Sequence, residues 1–230
     1  MCLIICRRMW RNIFMKTDYM CDKIITPDML ERLRGEVRAR LTERRFRHTE
    51  GVAAEAAAIA GIYTPELATK ITAAAWLHDI TKEYSYEKQL KICHDFGIIL
   101  RDDEKNLPAA LHAITAAALI PAEFPEYADP VIISAVRWHT TGRAGMTLPE
   151  KILCLADFIE PGREYAGCRK AWQDFWSANP GELNQKEREA LLDRILIFIF
   201  ESKLAYARSR GFLVNSDTEK TLQSLNSSTY

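Results

Sequence analysis

The segment Trp76-Leu77-His78-Asp79-Ile80-Thr81-Lys82 places a histidine and an aspartate side by side at the end of an alanine-rich apolar run. Adjacent residues on a helix point about 100° apart, so neighbouring side chains normally diverge. Where a helix ends, the backbone can turn and both side chains can converge on one metal ion. An isolated His-Asp pair is usually no more than a polar helix end. Its meaning therefore depends on where the other histidines lie.

The composition is that of an ordinary globular protein. The chain has 230 residues, 48% of them hydrophobic and 27% charged, which suits one domain with a substantial core. Lysine plus arginine and aspartate plus glutamate number 31 each, so the formal net charge is zero. This balance gives no reason to expect binding to nucleic acid or to a membrane surface, although a few placed cations could hold a small charged ligand.

Cysteine usage and the N-terminal segment indicate a soluble protein of the cytoplasm. The six cysteines form no Cys-x-x-Cys pair, and several lie in apolar helical patterns, as reduced buried thiols do. The apolar run within residues 1–24 is too short for a signal peptide or a membrane span, and we expect a poorly ordered extension there. The rest of the sequence contains no apolar run of 18 residues.

Signals for the start and end of helices follow one another along most of the chain. Helix caps are expected at short polar residues that precede periodic apolar segments: Thr26, Thr42, Thr64, Ser85 and Asp129. Glycine or proline is expected to end helices at Gly61, Gly97, Pro121 and Gly211. No alternating strand pattern competes, so we predict an all-α, compact helical bundle over residues 25–212 and a loosely ordered tail over 213–230.

Four of the five histidines lie at or near helix ends or in polar breaks: His48, His78, His112 and His139. The fifth, His94, belongs to a helix whose polar face we expect to be solvated. One histidine in a helix is usually a satisfied surface or core residue, but four of five on successive helices indicate a shared site. Asp157 stands in an otherwise apolar helical segment, where an ionised carboxylate needs a partner such as a metal ion.

One metal ion is predicted to bind to His48, His78, Asp79 and Asp157. Mixed imidazole and carboxylate ligands suit iron, manganese, zinc or nickel rather than magnesium or calcium alone. Because aspartate oxygens can bridge, His112 and His139 could hold a second ion, and such a pair would activate water for phosphoryl transfer. With a single ion, those two histidines would instead contact phosphates or donate a proton to the leaving group.

Three cationic residues, Arg45, Lys82 and Arg163, each stand within two helical turns of a predicted metal ligand. Each one alone is usually a solvated surface charge. Together they are suited to hold several phosphate oxygens. Neutral donors are expected beside them from Thr140, Thr141 and Gly142.

The order His48, His78-Asp79, Asp157 resembles that of the HD-domain metal-dependent phosphohydrolases, an all-helical superfamily. Four segments are similar, more specifically, to the YqeK group of bacterial symmetrical bis(5′-nucleosyl)-tetraphosphatases: 46–52, 77–82, 137–143 and 156–163. The resemblance covers about residues 30–212, and the segments 139–143 and 156–163 are its most specific parts.

The resemblance implies a hydrolase that cleaves diadenosine tetraphosphate into two ADP, with iron as the metal. It implies the same four metal ligands and the following phosphate contacts: Arg45, Lys82, His112, His139 and Arg163. His78, Asp79 and Lys82 would form the catalytic group, with a metal-bound hydroxide attacking a central phosphorus in line. The expected partners are the nucleotide polyphosphate substrate and the ADP product, and a homodimer stays open.

Three other functions fit parts of the same pattern. Another HD-domain phosphohydrolase would act on dNTPs, nucleoside monophosphates or guanosine polyphosphates, and its products would identify it. A di-iron oxygenase could use the same ligands and would consume oxygen without cleaving a phosphate ester. A non-catalytic nucleotide-binding regulator would keep the cavity without turnover, but all the expected ligands are present in this sequence.

Overall fold

The computed structural model describes residues 24–228 of the chain. Over that range it has eleven α-helices, two short 3-10 turns at Pro65–Leu67 and Pro125–Tyr127, and no β-strand, which confirms the all-α class expected from the sequence. The predicted extension over residues 1–24 lies outside the described residues, except for its last residue. The helices are α1 (Pro27–Arg40), α2 (Glu43–Tyr63), α3 (Ala68–Leu77), α4 (Tyr86–Asp95), α5 (Asp102–Lys105), α6 (Pro108–Glu123), α7 (Pro130–Trp138), α8 (Leu148–Ile159), α9 (Ala166–Trp176), α10 (Gln185–Ser209) and α11 (Ser216–Ser228).

Short polar side chains cap the starts of α1, α2, α4 and α7. The hydroxyls of Thr26 and Thr42 each accept a hydrogen bond at 3.3 Å from the backbone N–H three residues further on. Ser85 accepts in the same way at 3.2 Å, and the Asp129 carboxylate accepts from the N–H of Val131 at 2.8 Å. Each cap satisfies a donor that the helix itself leaves free. These four predicted starts are therefore confirmed.

Glycine does not end α2 as expected. The helix continues through Gly61 to Tyr63, whose ring stacks on Phe175 with the ring centroids 6.2 Å apart. The Tyr63 hydroxyl also donates to the carbonyl of Arg188 at 2.9 Å. A glycine costs a helix about 1 kcal/mol relative to alanine, and these contacts outweigh that cost. The expected start at Thr64 is wrong as well, because a 3-10 turn precedes α3 and the Thr64 side chain does not cap it.

Proline does not end α6 either. The helix reaches Glu123 and includes Pro121 in its last turn. Proline removes one backbone donor and normally breaks a helix. Here Ile120 and Phe124, on either side of it, are buried in the core, and their packing keeps the last turn in place.

Helix α3 lies at the centre of the bundle, in contact with α1, α2, α7 and α8. Its residues Ala73, Ala74 and Ala75 are fully buried, and small side chains allow the neighbouring helices to approach closely. The burial of α3 on all sides carries its C-terminal end into the interior. His78 and Asp79, which follow that end, are consequently buried as well.

Residues 216–228 form a helix that packs on the bundle, whereas a loose tail was expected over residues 213–230. Gly211, with a φ of 67°, ends α10 as predicted. The chain then forms α11, in which the Thr218 hydroxyl donates to the carbonyl of Thr141 at 3.1 Å. Asp217 accepts from Arg101 at 2.5 Å. The short polar residues that suggest a tail therefore bind α11 to distant parts of the chain.

Besides α11, two helices, α5 and α9, have no counterpart in the sequence prediction. The longer one, α9, contacts α8 and α10 and buries Cys168, Ala171 and Phe175. Its spacing of apolar residues is interrupted by Arg169 and Lys170, which face solvent. Within residues 24–228 we find no helix that is both long enough and apolar enough to cross a membrane.

Candidate metal and phosphate site

The end of α3 turns two adjacent side chains toward the same region. The helix ends at Leu77, and the chain then turns tightly, with the N–H of Lys82 donating to the carbonyl of Asp79 at 2.9 Å. His78 and Asp79 lie in this turn and are both buried. The helix end thus overcomes the divergence that neighbouring residues would show inside a helix.

The four predicted metal ligands lie together. His48 comes from α2 and Asp157 from the last turn of α8, and His48 Nε2 lies 3.1 Å from Asp157 Oδ1. Asp79 Oδ2 lies 3.6 Å from His48 Nε2 and 3.5 Å from His78 Nε2. Potential ligand atoms of His48, His78 and Asp157 all lie within 4.8 Å of one another. These distances leave room for one ion at the centre of the four side chains.

A second group of imidazoles lies on the other side of Asp79. His112 Nε2 is 3.2 Å from Asp79 Oδ1 and 3.0 Å from His139 Nε2. Ligand atoms of His78, Asp79 and His139 also lie within 4.8 Å of one another. The two oxygens of Asp79 therefore face different histidines, which is the arrangement that a bridging carboxylate requires.

Backbone and carboxylate acceptors set the tautomers of three histidines. Nδ1 of His78 lies 2.6 Å from the carbonyl of Ala75, and Nδ1 of His139 lies 2.7 Å from that of Val136. A carbonyl can only accept, so each Nδ1 carries the proton and each neutral ring keeps its lone pair on Nε2. This is the orientation that acceptors near a metal site typically impose on histidine ligands.

Glu160 sets the orientation of the His48 ring in the same way, although it is not among the residues predicted from the sequence. Its Oε1 accepts from His48 Nδ1 at 3.0 Å, while its Oε2 accepts from the N–H of Gly162 at 2.7 Å. Glu160 is buried directly after α8, where a glutamate would ordinarily be a surface residue. The only available signal was that a Pro-Gly turn follows it, because its partner lies 112 residues away in the chain.

Two buried nitrogens test whether a cation fits the cluster, by which we mean the six side chains of His48, His78, Asp79, His112, His139 and Asp157. Nε2 of His48 and Nε2 of His78 are buried and have no hydrogen-bond partner among residues 24–228. Buried polar atoms are rarely left in this condition. In its neutral Nδ1–H form, which His48 reaches only by losing a proton, each ring directs a lone pair toward carboxylate oxygens, which repel it. A cation between them would satisfy all of these atoms, so the residues fit a metal ion.

The protonation states of three histidines and both aspartates are those that metal ligands require. Burial lowers the pKa of His78, His112 and His139, so these imidazoles are neutral at pH 7. Burial acts to raise the pKa of Asp79 and Asp157, but nearby histidine, lysine and arginine side chains hold both well below the usual range.

His48 differs from the other histidines. Burial acts to lower its pKa, but the nearby carboxylates of Asp157 and Glu160 raise its pKa to about 9. A metal ion must therefore displace a proton from this ring.

The three predicted cations all reach the cluster. Arg45 donates to Asp79 Oδ2 at 2.7 Å, and Arg163 donates to Asp157 Oδ1 at 2.6 Å. Lys82 Nζ lies 3.3 Å from the His112 ring nitrogens. The Arg163 side chain is 37% exposed, more than that of Arg45 at 19%, so it offers the larger surface to a ligand.

The neutral donors of the next loop divide into two groups. The Thr140 hydroxyl lies 3.0 Å from His139 Nε2 and 3.3 Å from His112 Nε2, so it borders the cluster as expected. The expectation for Thr141 and Gly142 is wrong. The Thr141 hydroxyl donates to the carbonyl of Gly142, and the Gly142 N–H donates to the carbonyl of Trp138. Both donors are therefore occupied by backbone carbonyls at the end of α7 and do not face the metal ligands.

The comparison with known protein families identifies the architecture. The HD domain family matches residues 45–162, a range that begins at Arg45 and contains all four predicted metal ligands. The chain belongs to the HD-domain family. Membership implies dependence on a divalent metal ion, and the histidine and aspartate groups described above could bind one.

Curated relatives within the HD-domain family carry a more specific name. Three proteins named symmetrical bis(5′-nucleosyl)-tetraphosphatase are similar to the chain, from Halalkalibacterium halodurans, Staphylococcus aureus and Bacillus subtilis. They are 35%, 32% and 36% identical over 138, 139 and 131 residues. These matches cover 58%, 60% and 57% of this chain and 70%, 70% and 69% of the respective relatives.

A solved structure has the same fold. The protein is described as a predicted HD superfamily hydrolase involved in NAD metabolism, from Clostridium acetobutylicum. It is 28% identical, with a TM-score of 0.72, and the match covers 86% of this HD-domain chain and 97% of that one. The HD-domain resemblance stated from the sequence is confirmed.

Proposed function

We propose that the protein hydrolyses diadenosine tetraphosphate symmetrically, producing two molecules of ADP. The observation that supports this most is the convergence of two unpartnered imidazole nitrogens on the buried carboxylate of Asp79 and the half-buried carboxylate of Asp157, with an arginine at each carboxylate. The names of the three curated relatives supply the substrate class and the position of cleavage. Two ADP molecules account for all four phosphates once one water has been added.

The proposed metal ligands are His48, His78, Asp79 and Asp157, with His112 and His139 as ligands of a second ion. Iron is the proposed metal, and manganese, zinc and nickel are the alternatives that suit the same ligand set. When bound, such an ion lowers the pKa of a water molecule and offsets negative charge on phosphate oxygens. With one ion only, His112 and His139 are free to contact the phosphate chain instead.

The cationic side chains hold the phosphates. Arg45 and Arg163 contact two different carboxylates of the cluster, so their guanidinium groups are placed to span more than one phosphate group. Guanidinium groups bind phosphate oxygens through paired donors. Lys82 and the Thr140 hydroxyl add donors beside His112.

Charge stabilisation matters more here than proton donation. A terminal phosphate group has a second pKa of about 6, so ADP can leave at neutral pH without a strong acid. The negative charge that develops on the leaving diphosphate needs nearby cations. Lys82, Arg45 and Arg163 supply them within a largely buried site, where the interaction is stronger than in water.

Product identification is the direct test. Metal-stripped protein should be reloaded with iron, manganese, zinc or nickel and incubated with diadenosine tetraphosphate, and the products separated by chromatography. We expect ADP alone. AMP plus ATP would contradict symmetrical cleavage, and oxygen consumption without cleavage would support an oxygenase instead.

Two matched variants test whether turnover depends on the proposed metal ligands. Asp79→Ala should keep its helix content but lose metal, and its turnover should fall by more than about a hundredfold. His94→Ala is the control, because His94 is an exposed histidine outside the cluster. Turnover by Asp79→Ala at the wild-type rate would refute the assignment. A homodimer and the absence of nucleic-acid binding stay predictions.

A further inference from the structure

A cavity of about 280 Å³ opens directly beside the metal and phosphate site. Its wall includes Arg163, whose guanidinium also binds Asp157, and Glu160, which binds His48. The remaining wall comes from the turn after α8 and from one face of α9, including Arg169 and Trp172. The cavity and the cluster therefore share two residues.

Trp172 presents a rigid aromatic surface to this cavity. Its indole N–H donates to Glu55 Oε1 at 3.0 Å, and the indole of Trp176 donates to Glu55 Oε2 at 3.2 Å. Glu55 is buried, so its carboxylate can hold both rings in place. Trp172 nevertheless remains 40% exposed, which leaves part of the fixed ring accessible to a ligand.

We propose that this cavity binds the nucleobase of one half of the dinucleotide substrate. The inference rests on the proposed function and adds the position of one nucleoside. An accessible indole stacks on a base, and guanidinium planes also stack on aromatic rings. Arg163 lies in the wall and at Asp157, so a nucleotide whose base contacts Trp172 can direct its phosphates toward the metal ligands.

Size and charge favour one nucleoside over other occupants. Cavities for drug-sized ligands are about 300–1,000 Å³, so 280 Å³ suits half of a dinucleotide rather than the whole. The charged residues of the wall are Arg163, Arg169 and Glu160, so its formal charge is positive, as an anionic nucleotide requires. The wall also contains the apolar side chains of Ile159 and Pro161, which suit a flat base better than a second phosphate group.

Binding of ADP and of pyrophosphate separates the base from the phosphates. Both ligands carry two phosphates, but only ADP has a base. Calorimetry on manganese-loaded protein should show that Trp172→Leu weakens ADP binding by about 5- to 100-fold and changes pyrophosphate binding by less than about twofold. Trp172→Phe retains an aromatic ring and should recover most of the ADP affinity.

Tyr165→Leu is the control variant. Tyr165 is an exposed aromatic residue immediately before α9, and it is not part of the cavity wall. Its replacement should leave the binding of both ligands unchanged. If Trp172→Leu weakens ADP and pyrophosphate equally, or weakens neither, the inference is overturned. The measurement needs no turnover, so failure of the wild type to cleave the dinucleotide would count against the proposed function alone.

Discussion

Glu160 offers the sharpest test of how the site is built. Its two oxygens accept from two different donors, His48 Nδ1–H and the Gly162 N–H. In Glu160→Gln, one side-chain oxygen can still accept, but the amide NH₂ then faces the other donor. The glutamine can therefore satisfy only one of the two partners. We expect metal affinity to fall about 10- to 100-fold, or about 1.4–2.7 kcal/mol.

Gly51→Ala tests the same contact without changing the carboxylate. A Cβ at position 51 would lie 2.6 Å from Glu160 Oε2, so Glu160 would have to move away from its partners. Metal affinity should fall in this variant too. Gly61→Ala is the matched control in the same helix, because a Cβ there meets nothing within 4 Å. It should bind metal normally and gain up to about 1 kcal/mol of stability.

Competition between the protein and a fluorescent chelator for manganese measures these affinities directly, without reliance on turnover. Thermal melts of the metal-free proteins show whether a variant has lost its fold. Wild-type manganese affinity in both Glu160→Gln and Gly51→Ala would refute the idea that Glu160 positions His48. A loss in Gly61→Ala as large as that in Gly51→Ala would show that the effect belongs to the helix rather than to the contact.

Two further predictions concern stability. Gly142→Ala should destabilise the protein by about 1–3 kcal/mol in denaturant unfolding, because φ is 65° and a Cβ would lie 2.6 Å from the Thr221 hydroxyl oxygen. Gly145→Ala, with a similar φ but open space, should cost less. Burial acts to raise the pKa of Asp103, but hydrogen bonds from Arg101 and a backbone N–H hold it below the usual range. Its stabilising effect is therefore present at neutral pH and declines below about pH 4, so Asp103→Asn should lower the melting temperature at pH 7 and progressively less in acid.

Helix starts could be predicted because their signals are local. Thr26, Thr42, Ser85 and Asp129 each cap a helix through a hydrogen bond to a residue two or three positions away. Helix ends could not be predicted equally well. At Gly61 and Pro121 the local preference to stop is outweighed by packing against residues far away in the sequence. Such packing leaves no mark in a short sequence window.

The C-terminal helix shows the same limit. Residues 216–228 are rich in serine, threonine and asparagine, which individually favour loops. They are held by hydrogen bonds to Thr141 and by the ion pair between Asp217 and Arg101, both of which span more than 70 residues. Thr141 was expected to offer its side chain to a ligand. The sequence could not show that its carbonyl accepts a hydrogen bond from Thr218 of α11.

Within the site, the proposed metal ligands could be predicted from the sequence, whereas the residue that orients one of them could not. The proposed metal ligands Asp157 in α8 and the His78-Asp79 pair after α3 interrupt apolar patterns of the sequence. Such interruptions are visible in the sequence because a buried charge is otherwise too costly. A residue that orients a ligand needs only one acceptor oxygen at the right place. Glu160 meets this need from the end of a helix, where glutamate is common, so its contact with His48 in the folded protein is what distinguishes it from a surface charge.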